Sequence, residues 1–309
     1  MGGKQRIYKQ RIRSTQTLKK VFRAMELIAA SRIGKARAAA TEAGPYEKAL
    51  TQAVAAVAIH GDLDHPLTRK RTDTNRVAVL TVTSDRGMAG AYSATILRET
   101  ERLLERLQAE GKEPILYTSG RRASAYFRFR GRHVERFWEG ESDAPTDETI
   151  VDIARVLLDA FLDPNPETGI SEVYLVFTRF KNMVTQVPEV RQMMPLTVVD
   201  MPQSDEERER ELGFEDHPEL AFPEYEFEPS EEAVLAALLP LYVENRIRNA
   251  MLQSAASELA SRQRAMHTAT ENAEELITNY TRLANAARQA EITQEITEIV
   301  SGADALSNS

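Results

Sequence analysis

Residues 266–290 read MHTATENAEELITNYTRLANAARQA, and apolar residues recur through this stretch in steps of three and four. That spacing places them along one face of a helix and is typical of a coiled-coil seam. Many of the seam residues are alanine, so the backbone of a second helix can approach closely. The predicted seam consists of Met266, Ala269, Ala273, Leu276, Tyr280, Leu283, Ala287 and Ala290.

The first sixty residues carry a second helical stripe. From Lys4 to about Ala58 the only break signal is Gly44-Pro45, where we expect a kink because proline lacks the amide donor. Neither stripe can be buried by a lone helix, so we expect the two ends of the chain to pair as a long antiparallel coiled coil. The N-terminal stripe consists of Leu18, Phe22, Met25, Ala29, Ile33, Ala36 and Ala40.

The apolar pattern changes near the end of the chain. After Ala290 the apolar positions shift to Ile292, Ile296 and Ile299, which no longer continue the seam. We therefore expect the last turns of the helix to form a free apolar tip that contacts something other than the N-terminal helix.

The middle of the chain has the pattern of an α/β domain. Short runs rich in Val, Ile and Tyr alternate with helical stretches, which indicates strands separated by helices. The sequence predicts a small Rossmann-like domain, with strands at 77–83, 115–117, 173–177 and 196–199 and helices at 92–110, 121–129 and 146–162.

Charge and composition complete the predicted organisation. Residues 1–40 carry eleven Lys and Arg against Glu26, whereas residues 200–232 carry fourteen Asp and Glu against two Arg. The acidic stretch has no sustained period and is interpreted as a surface excursion or a disordered insertion. The predicted regions are an N-terminal coiled-coil helix at 1–60, a central α/β domain at 75–200, an acidic insertion or loop at 201–230, and a C-terminal coiled-coil helix at 231–309.

Several classes of site are disfavoured by the sequence. The chain of 309 residues has no Cys, which excludes disulfides, thiolate nucleophiles and thiol-based zinc sites. Its five His lack metal-ligand spacing, and no apolar run approaches the roughly 20 residues that span a bilayer. Paired carboxylates such as Glu274-Glu275 fit a solvated helix face better than an acid–base pair. We expect no catalytic, cofactor or metal site.

Two alternative functions remain open. The segment 84–90, SDRGMAG, follows a predicted strand and could present backbone N–H groups to a phosphate, but it lacks the spacing of known nucleotide loops. A nucleotide-binding α/β enzyme with coiled-coil dimerisation arms is one alternative. A nucleic-acid-binding protein built on the basic first helix is the other, although aromatic residues are not interleaved with its charges.

Three sequence blocks resemble the γ subunit, or central stalk, of the bacterial F-type ATP synthase. The first is IRS at 12–14 with TLKKVFRAMELIAASR at 17–32, and the second is TSDRGMAG at 83–90. The third comprises ARQA at 287–290, ITQEI at 292–296 and EIVSGA at 298–303. Together with ENRI at 244–247 and SEL at 257–259, the resemblance spans nearly the whole chain.

This resemblance implies a non-catalytic rotor subunit present in one copy per complex. Its partners would be the α and β subunits of the catalytic ring, the ε subunit and the c-ring, on the cytoplasmic face of the cell membrane and without a membrane span of its own. Rotation of the shaft would couple the proton-driven c-ring to the β catalytic sites.

The resemblance also implies residues that contact the surrounding subunits. The apolar bearing tip would consist of Ile292, Ile296, Ile299 and Val300. Candidates for contact between rotor and stator are Arg23, Met25, Arg262, Arg288, Gln289, Thr293 and Glu295.

The chain departs from the family pattern at two points. Met88-Ala89 stands where Leu-Cys is more usual, and no regulatory Cys pair exists. The acidic stretch from Ser204 to Pro223 is longer than the family requires, and we interpret it as a lineage-specific insertion that touches a neighbouring subunit or restrains rotation.

Overall fold

The computed structural model describes residues 3–60, 67–69, 71–195, 228 and 230–307. Five helices and five strands follow one another in the described residues. They are α1 (Gly3–His60), β1 (Arg76–Val82), α2 (Tyr92–Ala109), β2 (Glu113–Ser119), α3 (Arg121–Phe129), β3 (Arg136–Trp138), α4 (Asp147–Leu162), β4 (Glu172–Phe180), β5 (Gln186–Met194) and α5 (Glu231–Ser307).

Contacts divide the chain into two compact units. The helical unit comprises Met1–Ala30 and Arg262–Ser309, and the α/β unit comprises Ser31–Ser261. Each of the two long helices, α1 and α5, therefore contributes residues to both units.

The α/β unit is built on a five-stranded sheet with the strand order β3-β2-β1-β4-β5. The first four strands in this order pair in parallel, and β5 returns antiparallel to β4 as a hairpin. The central strand β1 is buried along almost its whole length, because parallel sheets are covered on both faces.

Alternation along β1 divides the core in two. Val77 and Val79 pack with the apolar faces of α2 and α3, whereas Ala78 and Leu80 pack with α4 and α5. Because successive side chains of a strand point to opposite faces, one strand can anchor both layers. The C-terminal long helix is therefore a core element of the α/β unit as well as a member of the helical unit.

Helix α5 is fastened to the sheet by apolar packing and by two hydroxyl groups. Val243 and Ile247 are 0% and 1% exposed within the α4-side core. The amide of Thr178 donates to the Ser254 hydroxyl at 3.3 Å, and the Ser257 hydroxyl donates to the Thr178 carbonyl at 3.3 Å. These bonds satisfy the Thr178 backbone groups beyond Val176, where the pairing of β4 with β1 ends.

Helix α4 shows how a local signal sets a helix start. Thr146 is the N-cap, and its side chain accepts a hydrogen bond from the Thr149 amide at 3.3 Å. Asp147 and Glu148 follow in the first turn, where carboxylates are favoured by the helix dipole.

The predicted mixed α/β fold with long terminal helices is confirmed, with differences at the sheet edges. The strands expected at 77–83, 115–117 and 173–177 are β1, β2 and β4. The sequence reasoning missed β3, which has only three residues, and β5, which contains Pro188 and is half-exposed over most of its length. Both are edge strands, where alternation and burial are weakest.

Several predictions fall on or near residues outside the described ranges. The strand expected at 196–199 lies outside them, and so does the acidic segment 201–230 apart from Glu228 and Ser230. Helix α1 continues through Pro45, so Gly44-Pro45 does not end it, and the kink expected there stays a prediction.

Candidate functional site on the terminal helices

The helical unit is an antiparallel pair formed by α1 and α5. Lys19 forms an ion pair with Glu274, and the Tyr8 ring stacks on Tyr280 with 6.5 Å between the ring centroids. Moving toward the start of α1 therefore means moving toward the end of α5. The Arg11 guanidinium lies 5.6 Å from the centroid of the same Tyr280 ring and adds a cation–π contact.

Six of the eight predicted seam residues of α5 are buried or half-buried. Met266 and Ala273 are buried, and Ala269, Tyr280, Leu283 and Ala287 are half-buried. Leu276 was expected inside but is 45% exposed, and its neighbour Ile277 is half-buried instead. Thr270 and Ala284, which follow Ala269 and Leu283, are buried as well.

This correction has a geometric reason. A seam through Met266, Ala273 and Tyr280 can alternate with Leu276 or with Ile277, because both choices give steps of three and four residues. Spacing alone therefore does not distinguish the two seams. Hydrophobicity favours Leu276, but packing against α1 selects its neighbour Ile277. Ala290, the last residue of the predicted seam, is exposed as well.

The α1 side of the pair required one correction. Phe22 and Met25 are half-buried and Ala29 is 1% exposed, as the stripe predicts. Leu18 was expected in the stripe but is 51% exposed, and its neighbour Lys19 turns toward α5 instead. A long lysine stem can lie along an apolar seam while its ammonium group reaches a carboxylate at the edge.

A carboxylate at the middle of the pair joins the two helices. Glu26 accepts a hydrogen bond from Arg23 at 2.9 Å, and its other oxygen lies 3.1 Å from His267 Nδ1 on α5. Burial alone would raise the pKa of Glu26, but the hydrogen bonds from Arg23 and His267 outweigh it, so the pKa is lowered. On its other side, His267 Nε2 lies 3.4 Å from Glu271.

The end of α5 continues past the start of α1. Gly3, the first described residue of α1, lies about one and a half turns before Tyr8, so no described residue of α1 lies opposite residues 292–301 of α5. All residues from 292 to 301 are exposed. The apolar members Ile292, Ile296, Ile299 and Val300 have exposed fractions of 44%, 56%, 71% and 54%.

The seven predicted contact residues do not share one environment. Arg288, Gln289, Thr293 and Glu295 are exposed on the same part of α5, and Thr293 donates its hydroxyl hydrogen bond to the Gln289 carbonyl at 2.9 Å. Arg23 is exposed and Met25 is half-buried, both on α1. Arg262 is separate from this group, because it is only 6% exposed.

Sequence reasoning missed exposed apolar side chains on α1 outside its seam. Leu18, Val21, Leu27 and Ile28 are 51%, 46%, 57% and 54% exposed. Leu18 and Leu27 are nine residues apart, about 180° around the helix, so these side chains flank the seam on both sides and do not form one stripe. The signal was present, because residues 18–30 hold more apolar side chains than one stripe can accommodate.

The glycine segment after β1 is occupied by the chain itself. The Asp85 carboxylate accepts hydrogen bonds from the Arg121 amide at 3.0 Å and from the Ser142 amide at 2.9 Å. Burial would raise the pKa of Asp85, but the backbone donors of Gly140, Ser142 and Arg121 outweigh it and lower the pKa. The Asp85 carboxylate thus caps the start of α3. Two amides of the segment also donate within the chain, Ser84 to the Ser93 hydroxyl at 3.3 Å and Asp85 to the Ser142 hydroxyl at 2.8 Å, which favours the structural turn over the nucleotide site.

Metal-binding clusters and membrane-spanning helices are both absent from the described part of the chain. Within it, no group of three His, Asp or Glu side chains is arranged to hold a metal ion. Among the helices that the structure describes, none is long and apolar enough to cross a membrane.

A family model described as ATP synthase matches residues 4–306 of the chain, and relatives that match over their full length are named gamma chains. The chain belongs to the ATP synthase gamma chain family. The gamma chain of Beutenbergia cavernae is 61% identical over 309 residues, covering 100% of both chains. That of Micrococcus luteus is 52% identical over 309 residues, again covering 100% of both.

Solved structures share the fold of this gamma chain. A chain of the Euglena gracilis mitochondrial ATP synthase matches it with a TM-score of 0.65 and 15% identity, covering 99% of this chain and 95% of that chain. A chain from the central stalk and c-ring structure of the Tetrahymena thermophila enzyme matches with a TM-score of 0.53 and 21% identity, covering 81% and 99%. The resemblance inferred from the three sequence blocks is confirmed, and neither alternative function finds support in these comparisons.

Proposed function

We propose that this gamma chain is the rotating central shaft of a proton-driven ATP synthase and couples c-ring rotation to conformational cycling of the β catalytic sites. The observation that carries the proposal is the contrast along α5 in the helical unit. A seam sealed by α1 ends where α1 begins, and ten exposed residues, 292–301, follow. A paired segment transmits torque, and an unpaired end is free to contact surrounding subunits.

The paired segment supplies stiffness. A shaft alters otherwise equivalent catalytic sites only if it makes different contacts with each of them at a given angle. A single helix would bend and average those contacts, whereas two helices locked by a seam and by the Glu26–His267 link resist bending.

The apolar end supplies a bearing surface. Ile292, Ile296, Ile299 and Val300 present branched aliphatic groups, which interact with a partner surface through non-directional hydrophobic contact. Turning such a surface breaks no directional hydrogen bond, so the barrier between angular positions stays low. Strong polar contacts at the same place would hold the rotor at one angle.

Polar contacts with the β subunits are assigned to the residues next to that end. We place Arg288, Gln289, Thr293 and Glu295 in this group, because they are exposed on neighbouring turns of α5. Arg23 and the half-buried Met25 extend the group to α1, where the exposed side chains of Leu18, Val21, Leu27 and Ile28 add apolar contacts. Arg262 is left out of the group because its side chain is buried within the gamma chain.

The assembly implied by this role has one gamma chain per complex, with the α and β subunits, ε and the c-ring as partners. The chain would lie peripherally at the cytoplasmic face of the cell membrane and perform no catalysis itself. This assignment is supported by the solved structures that hold the matching chains, one of OSCP, F1 and the c-ring and the other of the central stalk and c-ring.

The acidic segment adds a separate hypothesis. We propose that residues 204–223, which lie outside the described ranges, contact a neighbouring subunit or restrain rotation. Their removal should change ATP synthesis, ATP hydrolysis or the coupling between them. A deletion variant with all three unchanged would contradict the hypothesis.

Cysteine cross-linking in the assembled enzyme tests the rotor role. Because the chain has no Cys, Glu295→Cys creates a single thiol on the exposed end of α5. Oxidative cross-linking of this thiol to a cysteine placed in a β subunit should abolish both ATP synthesis and ATP hydrolysis, and reduction should restore them. The uncross-linked double variant is the control.

If the cross-linked enzyme kept full synthesis, the shaft would not need to turn and the proposal would fail.

The alternative function of nucleotide binding has its own measurement. Titration of the isolated chain with millimolar ATP in a calorimeter should give no binding heat, whereas saturable binding would favour the nucleotide-binding enzyme.

A further inference from the structure

The α/β unit carries an exposed arginine–aromatic surface far along the sequence from the terminal-helix surfaces. It lies at the end of α3 and along β3, and we call residues 121–138 the α3–β3 face. Phe129 is 90% exposed there, and Phe137 on β3 is 49% exposed. Both values describe large apolar side chains that folding of this chain leaves in contact with solvent.

The apolar side of α3 is already buried in the core of the α/β unit. Phe127, two residues before Phe129, is 0% exposed in the core that α2 and α3 form with the sheet. Phe129 therefore contributes almost no burial to the fold and could be polar without loss to that core. The Phe129 ring is therefore available to a partner.

The α3–β3 face is strongly positive on a chain that is negative overall. Residues 121–136 contain six Arg and one Glu, while the whole chain has a formal net charge of -8. The six are Arg121, Arg122, Arg128, Arg130, Arg132 and Arg136.

The carboxylates within reach neutralise only part of this charge. Arg130 and Arg132 share one carboxylate, that of Glu101, at 3.7 and 2.9 Å. Arg136 lies 2.7 Å from Asp152, which also pairs with Arg155 at 2.5 Å. Arg121 lies 3.4 Å from Glu139. In the described residues, the six arginines of the face therefore outnumber the three carboxylates that pair with them.

Arg128 is placed for a partner outside the unit. Its guanidinium lies 4.4 Å from the centroid of the Phe137 ring, which holds the end of α3 against β3. In the part of the chain that the structure describes, no carboxylate lies within ion-pair distance of Arg128. Stacking on an aromatic ring orients the guanidinium edge and leaves its N–H donors available for a bidentate carboxylate.

Side chains rather than backbone must carry recognition at this face. The edge strand β3 has three residues, which is too short to pair with a long incoming strand. Arginine and aromatic side chains are the residues that most often dominate the energetics of protein–protein interfaces.

We propose that the α3–β3 face docks a protein partner whose surface presents carboxylates around an apolar recess. The recess receives Phe129, and the carboxylates pair with Arg128 and its neighbours. Acidic side chains interleave with the arginines here, among them Glu101, Glu135 and Asp152, and they would repel the continuous phosphates of a nucleic acid or an anionic membrane. A protein surface can match such a mixed pattern residue by residue.

Photo-cross-linking in the assembled complex tests this proposal independently of rotation. We would place p-benzoylphenylalanine at position 129 and, as a matched control, at position 162, where Leu162 is 46% exposed on α4. Mass spectrometry of the cross-linked peptides from position 129 should identify one acidic segment of another protein chain, and position 162 should not yield it.

Charge reversal then tests the recognition chemistry. Arg128→Glu should lower the yield of that cross-link about tenfold, equivalent to about 1.4 kcal/mol, while Arg128→Lys has a smaller effect. Arg98→Glu, an exposed reversal on α2, should leave the yield unchanged. Far-ultraviolet circular dichroism of each variant checks that the chain stays folded.

Three outcomes would overturn the proposal. They are no cross-link above that from position 162, cross-links only to lipid, nucleic acid or the gamma chain itself, and a yield that Arg128→Glu does not change. None of them bears on whether the shaft rotates, since that is read from the Glu295→Cys experiment.

Discussion

Two regions of the same helix, α5, have similar apolar side chains and opposite environments. Leu239, Val243 and Ile247 are 0%, 0% and 1% exposed, whereas Ile296 and Ile299 are 56% and 71% exposed. The first region is covered by the sheet and α4, and the second extends past the start of α1. An apolar residue in a long helix thus stabilises the fold only where the rest of the chain provides a surface to cover it.

The largest effect on stability is expected from a substitution in the buried region of α5. Ile247→Ala should lower the free energy of unfolding of the full chain by about 2–5 kcal/mol, because it removes buried methyl groups and leaves a cavity. Ile299→Ala, the matched change at the exposed end, should alter it by less than about 0.5 kcal/mol. Urea denaturation of both variants measures the difference, and equal losses would contradict the assignment of α5 to the α/β core.

The next effect concerns coupling rather than stability. Ile296→Asp should leave the denaturation midpoint of the chain unchanged but lower ATP synthesis by the assembled enzyme about tenfold, because a carboxylate disrupts apolar contact with the surrounding subunits. Ile296→Val is the control and should retain most activity. A loss of stability with normal coupling would show that this end supports the fold and is not a bearing.

A smaller effect is expected at the link between the helices. The pKa of Glu26 is lowered in the folded chain from an ordinary value of 4.5, so its contribution is present above about pH 4.5 and is lost as the pH falls through the folded value. Glu26→Gln should therefore cost about 1 kcal/mol at pH 7 and progressively less as the pH falls below about 4.5.

Denaturation of both proteins across that pH range measures the difference. His267→Gln is the companion variant and should remove part of the same contribution at pH 7. A constant difference between wild type and Glu26→Gln at every pH would rule out an ionised link between α1 and α5.

The smallest effect distinguishes the half-buried seam residues of α1 from its exposed apolar residues. Leu18→Ala should change the free energy of unfolding by less than about 0.5 kcal/mol, because the Leu18 side chain is 51% exposed. Phe22→Ala should cost roughly 1–2 kcal/mol, because the ring is half-buried against α5. If Leu18→Ala proved the more costly of the two, the assigned faces of α1 would be reversed.

Much of the fold was predictable because its main elements are long and periodic. The three central strands and the helices α2, α3 and α4 were found within a few residues of their bounds. The edge strands were not found, because β3 is short and β5 is half-exposed, so neither has a burial pattern to detect. Edge strands owe their existence to a neighbouring strand, which local sequence does not reveal.

The unpaired end of α5 was predictable from the spacing of its apolar residues. The burial of individual residues of the candidate site was not, because it depends on packing. The unpaired end was anticipated from the shift after Ala290, and residues 292–301 are exposed. Leu18 was placed in the α1 stripe because it fits the helical period, but it is 51% exposed. Arg262 was a contact candidate because of the family resemblance, but it is only 6% exposed within the chain.

The sequence by itself determined the elements and their family: the two helical stripes, the β/α alternation and the three blocks that resemble the gamma chain are local patterns of residue type. Only the tertiary structure decided which side of each stripe is covered, as the burial of Ile277 rather than Leu276 shows. It also decided that the Asp85 carboxylate accepts hydrogen bonds from the amides of Arg121 and Ser142. The physical reason is that periodicity limits a side chain to one sector of a helix, whereas burial within that sector depends on atoms contributed from distant parts of the chain.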